Sequence, residues 1–234
     1  MHNVLIIRAK NQGVKTLDYL SQLDISGQLI SLSDVTYPYH NFKDFDLTDF
    51  KQIIISSSNA LSALSSQQKE ILNQKEILSV TQALIDFANV RYFQNMQEVI
   101  TYIMMKNHKE KVIYLRGNYS SLSSDEEKNL QEYGCNSVLC YHVNYHDREF
   151  KEIANNLKLG IYSDILFFSK KSSDYFLKLI QDSALEPYLL NIKLCCISRR
   201  VAASFLDVKL ANIVIAENAN IKSLIKCLDY PLVR

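Results

Sequence analysis

The chain has 234 residues, with 26 Lys and Arg against 25 Asp and Glu and a formal net charge of +1, so no global field steers it to nucleic acid or an acidic membrane. No stretch approaches the roughly 18 apolar residues of a membrane span, and the first apolar run, Val4 to Ile7, stops at Arg8 without the pattern of a signal peptide. The five cysteines, at 135, 140, 195, 196 and 227, are odd in number and lack framework spacing, which predicts reduced thiols in a cytoplasmic protein rather than a disulfide scaffold.

Short β-rich runs alternate with amphipathic stretches along the whole chain. Val4–Arg8 reads as a strand, Val14–Leu23 as a helix and Gln28–Tyr37 as a strand; Gln52–Ser56, Ile77–Ser79 and Val90–Phe93 are further strands, and Met96–Lys106 is a helix. Lys111–Leu115 then reads as a strand, Asp125–Tyr133 as a helix, Ser137–Tyr145 as a strand and Phe150–Leu157 as a helix. Asp164–Phe168 (strand), Ser173–Asp182 (helix), Leu194–Ile197 and Asn212–Ile215 (strands) and Ile221–Leu228 (helix) complete the chain. Ten strands with intervening helices predict an α/β architecture built on parallel sheets.

Phrases recur within this pattern. Ile53-Ile54-Ile55-Ser56-Ser57-Ser58 has a counterpart in Ile165-Leu166-Phe167-Phe168-Ser169-Lys170-Lys171-Ser172, and Val4-Leu5-Ile6-Ile7-Arg8 in Val112-Ile113-Tyr114-Leu115-Arg116, each about 110 residues away. Two related α/β halves predict two lobes, with a large ligand in the cleft between them. Gln28–Tyr39 and Val138–His146 are too long for ordinary buried strands and are equivalent in the repeat, so they are read as a pair of strands crossing between the lobes.

In open parallel sheets ligands bind at the carboxyl ends of strands, where the following helices point unpaired backbone amides. Those ends carry Arg8, then Ser57-Ser58-Asn59, then Thr81-Gln82; in the second half they carry Arg116-Gly117-Asn118, Ser169-Lys170-Lys171-Ser172 and Ser198-Arg199-Arg200. Each serine taken singly is equally consistent with a helix N-cap, and Arg8 and Arg116 with surface charges. Their recurrence in both halves points instead to a ring of anion-binding groups and a large ligand with several carboxylates. The chain has no Gly-x-x-x-x-Gly-Lys-Ser/Thr and no Gly-x-Gly-x-x-Gly, so a nucleotide site is not expected. His142 and His146 lie on a predicted strand, where four residues span about 13 Å, too far for one metal ion. Adjacent Cys195 and Cys196 point to opposite faces of a strand and read as buried thiols.

At these residues the chain resembles the uroporphyrinogen-III synthase family. The likeness runs nearly end to end, through Ile6-Ile7-Arg8, Ile54-Ile55-Ser56-Ser57-Ser58-Asn59-Ala60, Val112-Ile113-Tyr114-Leu115-Arg116-Gly117, Tyr133-Gly134 and Cys140-Tyr141-His142. It continues through Phe167-Phe168-Ser169, Cys196-Ile197-Ser198-Arg199-Arg200-Val201-Ala202 and Val214-Ile215-Ala216 before a terminal helix. The chain departs from the family where the turn after the fourth strand lacks its glycine, leaving Thr81 as the match for the family's threonine. In the second half Ser198 stands at that glycine and Val201 at that threonine, and Lys170 replaces a proline.

The resemblance implies two flavodoxin-like parallel-sheet lobes joined by a two-stranded β connection. One is discontinuous, residues 1–35 plus 147–234, and the other continuous, 38–144. It further implies a monomeric, cofactor-free enzyme of tetrapyrrole (heme) synthesis, a cyclising hydro-lyase that closes hydroxymethylbilane, a linear tetrapyrrole polycarboxylate, with inversion of the last pyrrole ring through a spiro intermediate. Tyr141 takes the place of the family's proposed proton donor, and Arg8, Ser57, Ser58, Asn59, Thr81, Arg116, Gly117, Ser169, Lys170, Ser172, Ser198 and Arg199 take substrate-binding positions. No metal, nucleic acid or membrane enters this expectation. Two alternatives are a bilobed polycarboxylate- or tetrapyrrole-binding protein without turnover, and a flavodoxin-like or response-regulator module, for which neither a flavin-phosphate loop nor a strand-end acidic pocket is found.

Overall fold

Runs of β-branched and Leu residues form the strands, and polar residues with cap chemistry start the helices between them. The computed structural model describes residues 3–37, 42, 45–81, 84–106, 111–119, 122–208 and 212–228. In chain order the strands are β1 (Asn3–Ile7), β2 (Ser26–Ile30), β3 (Ser33–Thr36), β4 (Gln52–Ile55), β5 (Glu76–Ser79), β6 (Val90–Tyr92), β7 (Val112–Gly117), β8 (Cys135–Tyr145), β9 (Asp164–Phe167), β10 (Lys193–Cys196) and β11 (Asn212–Ile215). The α-helices are α1 (Lys10–Ser21), α2 (Ser58–Ala63), α3 (Ser66–Leu72), α4 (Met96–Met105), α5 (Ser124–Glu132), α6 (Phe150–Lys158), α7 (Lys170–Asp182), α8 (Arg199–Ala202) and α9 (Ile221–Lys226). No helix among the described residues is long and apolar enough to cross a membrane.

The chain divides into two compact units, Met1–Asp34 with Tyr145–Arg234, and Val35–Asn144. The first holds a parallel sheet in the order β11-β10-β9-β1-β2. Val4 and Ile6 point to one face, into a cluster with Leu20, Ile25, Leu224 and Cys195. Leu5 and Ile7 point to the other, against Phe150, Phe167, Phe176 and Cys196. Cys195 and Cys196 therefore do lie on opposite faces. Burial pushes the Cys196 thiol up to about 12 and the Cys195 thiol up as well, so both stay protonated and inert.

The second unit holds the order β3-β8-β7-β4-β5-β6. Ile53, Ile55, Ile113 and Leu115 meet Ala60, Ala63 and Leu72 on one face. Ile54, Val112 and Tyr114 meet Val99, Ile100, Ile103 and Leu130 on the other. From the β2 edge the first sheet reads β2-β1-β9-β10-β11, the 2-1-3-4-5 order of flavodoxin-like sheets. Apart from edge strand β3, the second reads β8-β7-β4-β5-β6, the same spatial order with the chain entering at the third position. The repeat seen in the sequence is thus a repeat of sheet positions, β1 with β7 and β9 with β4.

Several expected boundaries shift, each for a local reason. The run Gln28–Tyr37 is two strands, because the Ser31 hydroxyl donates to the Ser33 carbonyl (2.8 Å) and its N–H to the Glu149 carboxylate (3.3 Å) in place of ladder bonds. Residues 38 and 39 of the longer run, and Gln82, lie outside the described residues. Helix α7 begins at Lys170 rather than Ser173 because Ser169 accepts the Ser172 N–H as an N-cap. Helix α1 begins at Lys10 rather than Val14. Helices α2 and α3 are absent from the expected set; Ser65 and Gln68 form a capping box that starts the second of them.

Candidate functional site

In the second unit the strand order reverses between β7 and β4, the position at which open α/β sheets bind ligands. Ser57, Ser58 and Asn59 follow β4, Arg116 and Gly117 end β7, and Tyr141 lies on the neighbouring β8, so six of the expected residues come together on three adjacent strands. Ser57 caps α2 by accepting the Asn59 N–H (3.2 Å). Thr81 sits one strand further out, past β5. Its N–H is held by the fully buried Ser79 hydroxyl (3.0 Å), which donates to the Ile55 carbonyl at the end of β4 (2.8 Å). That serine ties the Thr81 turn to the same sheet edge.

The ladder between β7 and β8 is broken at the point that matters. Arg116 pairs with Leu139, and the next partner of Gly117 is Tyr141, so Cys140 is an extra residue. Its thiol, which burial raises to about 12, takes the Arg116 carbonyl instead (3.3 Å). Cys140 and Tyr141 consequently both enter the same apolar cluster, which regular alternation forbids. Bulges of this kind re-aim a side chain. Here the re-aimed group is the Tyr141 ring, which lies against Gly117 and belongs to a residue that is 8% exposed. Burial raises the Tyr141 phenol above its ordinary value, partly offset by the Ser57 hydroxyl and the Gly117 N–H beside it. A Cβ at Gly117 would stand 2.4 and 2.6 Å from ring carbons of Tyr141. Gly117→Ala is therefore expected to cost about 1–2 kcal/mol in urea unfolding by forcing that ring out of place.

A second phenol occupies the opposite face. Tyr114 and Ser56 share a hydrogen bond of 2.9 Å, and burial raises the Tyr114 phenol too, with Ser56 offsetting part of the effect. Consecutive serines at the end of β4 thus serve two tyrosines, one on each face of the sheet.

In the first unit the equivalent reversal lies between β1 and β9. Arg8 directly follows β1; its guanidinium donates to Thr16 (3.0 Å) and Gln12 (3.3 Å) and stacks over the Phe168 ring at 4.0 Å. Burial lowers its pKa without approaching deprotonation. Among the described residues no carboxylate pairs with it, so it is a held, half-buried cation at a strand end. Next to it Ser169 caps α7, and its hydroxyl also donates to Ser172 (2.8 Å). Lys170 is engaged with Asp174 (3.0 Å), which also accepts the Ser204 hydroxyl (2.6 Å). Burial raises that carboxyl, but Ser204 and Lys170 outweigh it and hold Asp174 below the usual range. Ser198 caps the short α8 after β10, with Arg199 exposed beside it at a pocket floored by Ile197, Ile215 and Ala216.

The N-cap reading of the serines holds for Ser57, Ser169 and Ser198, and at the last two a cation, Lys170 or Arg199, follows directly in the chain. Residues outside the expected set also shape the site. Phe168 and Thr16 orient Arg8, Ser79 fixes the Thr81 turn, and Asn118 binds the Tyr141 strand from 25 residues away. Phe168 and Asn118 have no local sequence signature, since each acts on a partner distant in the chain.

The uroporphyrinogen-III synthase HemD family model matches residues 38–226, which reach into both units. Among solved structures, the uroporphyrinogen-III synthetase of Helicobacter pylori superposes with a TM-score of 0.61 at 16% identity, covering 97% of this chain and 98% of that one. A mutant uroporphyrinogen III synthase of Thermus thermophilus gives 0.66 at 12% identity, covering 98% of each chain. At such identities the superpositions speak for the fold. No curated protein sequence matches the chain. The family match and the duplicated strand-end arrangement agree, and the chain belongs to the uroporphyrinogen-III synthase family.

Proposed function

We propose that this chain closes hydroxymethylbilane to uroporphyrinogen III, a step of heme biosynthesis, with net loss of water and inversion of the last pyrrole ring. The family match over residues 38–226 carries that reading. The strand ends suit the chemistry: each unit carries an arginine, Arg8 or Arg116, and a serine-capped helix start, groups that match the carboxylates of a substrate that has eight. Ser58, Asn59, Thr81, Gly117, Ser172, Ser198 and Arg199 extend the set of donors, while the Lys170 ammonium neutralises Asp174 beneath it. Amides and cations fixed before substrate arrives stabilise charge without reorganising.

The bond-breaking step needs one proton. The Tyr141 phenol donates it to the hydroxyl oxygen of the substrate, the C–O bond breaks, and water departs with the electron pair. The Ser57 hydroxyl and the Gly117 N–H beside the phenol stabilise the phenolate left behind. The substituted carbon of the last ring attacks the resulting azafulvenium carbon to give the spiro species. That species opens at the ring's original bridge and recloses through its free α carbon, and the proton released there restores the phenol. No oxidation or reduction occurs. The protein's main work is positioning, because unguided closure joins the ends without inversion.

Incubating the purified chain with hydroxymethylbilane, oxidising the product and separating the porphyrin isomers tests the proposal. Type III isomer in excess over the type I background is expected. Type I alone, with retained affinity for uroporphyrinogen, would identify a binding protein without turnover and end the enzyme reading.

A further inference from the structure

The bulge on β8 raises a physical question: what holds Tyr141 in its new direction once the ladder has lost register? Strand β7 stops at Gly117, immediately after the bulge. Beyond it the ladder continues through a side chain. The Asn118 backbone N–H donates to the Tyr141 carbonyl (3.2 Å). Its side-chain carbonyl accepts the Val143 N–H (2.8 Å), and its side-chain amino group donates to the Val143 carbonyl (3.2 Å). A carboxamide that pairs with both backbone groups of one residue copies what another strand residue would do. The donor and acceptor roles at Val143 also fix which way the amide faces.

From these contacts we infer that Asn118 is a positioning residue for the Tyr141 phenol. It clamps β8 at residues 141 and 143, on the far side of the bulge, so that the ring stays on Gly117 with its oxygen at Ser57. Asn118 itself is exposed and contributes nothing to the apolar core, so its two side-chain bonds have no packing role to explain them. Other supports are Gly117 beneath the ring, the Cys140 thiol on the Arg116 carbonyl, and edge strand β3, whose Thr36 hydroxyl accepts from the Asn144 side-chain amide (3.0 Å). The first two act before or at Tyr141 and the β3 contact holds the outer edge of β8, whereas the Asn118 bonds tie β8 to the β7 side past the bulge. The inference rests on the proton-donor role proposed for Tyr141.

The test is a cycle of wild type, Asn118→Ala, Tyr141→Phe and the double variant, with kcat and KM measured on hydroxymethylbilane. Asn118→Ala is expected to lower kcat about tenfold with KM within twofold. In the Tyr141→Phe background the same change is expected to cost nothing further, since the group it positions is gone. Asn118→Asp keeps the acceptor for the Val143 N–H, loses the donor, and should fall between wild type and Asn118→Ala; it also serves if the alanine variant fails to fold. An equal loss in both backgrounds would make Asn118 a general structural support and overturn the inference, as would wild-type kcat in Asn118→Ala. A slow Tyr141→Phe with a fast Asn118→Ala sinks the positioning role alone. A Tyr141→Phe enzyme at the wild-type rate sinks the proton-donor reading and the positioning role with it.

Discussion

A Tyr141→Phe enzyme is expected to turn over hydroxymethylbilane about a hundredfold more slowly with KM little changed, the low end of what a positioned general acid supplies. The low end is appropriate because a hydroxyl next to an electron-rich pyrrole departs readily and needs little protonation. The substitution is clean in structural terms. Phenylalanine keeps the ring that packs on Gly117 and fills the apolar cluster. It removes one oxygen, whose neighbours are the Ser57 hydroxyl and the Gly117 N–H, so the stability cost is about 1 kcal/mol. The residual product should remain type III, because ring inversion depends on how the carboxylates are held and not on the departing hydroxyl. The raised phenol pKa carries a sign: a donor must be protonated, and raising its pKa extends the acid form to higher pH. Wild-type kcat should therefore show no loss from this group below about pH 10, the ordinary tyrosine value. Rapid-quench turnover with isomer analysis decides the matter; kcat within twofold of wild type would remove Tyr141 from the chemistry.

The strands were legible because their apolar runs are short, dense and bounded by polar residues. Gln52–Ile55 and Asp164–Phe167 are buried at every position, as central strands of a parallel sheet covered on both faces should be. Their repetition along the chain reflects equivalent sheet positions, and strand-end residues such as Arg8 and Arg116 followed from that equivalence. Helix starts were less legible. Apolar periodicity starts the expected helix at Ser173, whereas Ser169 caps it and the helix begins at the next residue, Lys170. The bulge at Cys140 was invisible for a deeper reason. A period-two pattern assigns neighbouring residues to opposite faces, and Cys140 and Tyr141 share one only because the partner strand skips a residue. Asn118 is a strand-end residue in the sequence, but its hold on β8 was hidden for the same reason, since it depends on a register that no segment of sequence specifies alone.

At the opposite ends of the same strands a Glu76→Gln substitution is expected to cost about 2 kcal/mol at pH 7 while leaving kcat unchanged. Glu76 begins β5 and is paired across the sheet with Gln52, the first residue of β4. One carboxylate oxygen accepts from Tyr102 (2.7 Å) and Arg91 (3.3 Å), the other from Gln52 (2.7 Å) and Lys106 (2.8 Å). An amide has a single oxygen, so whichever way it faces, one pair of donors meets an NH₂ group. Gln52 is 1% exposed and cannot turn to water for a replacement. Burial raises the Glu76 carboxyl, but Lys106, Gln52 and Tyr102 outweigh it and bring it down to about 2. A carboxyl whose folded pKa is depressed stabilises the protein above the unfolded value, near 4.3, and loses that contribution as pH falls toward 2. The carboxylate is partly solvated, and screening reduces the pH-dependent part to about 1–2 kcal/mol. Wild type and Glu76→Gln should therefore differ most at neutral pH and converge between pH 5 and pH 2, because protonation leaves the wild-type carboxyl with an O–H among donors, as the amide is. Urea unfolding of both proteins at pH 7, 5 and 3 checks this, and a gap as wide at pH 3 as at pH 7 would show that Glu76 contributes through shape rather than charge.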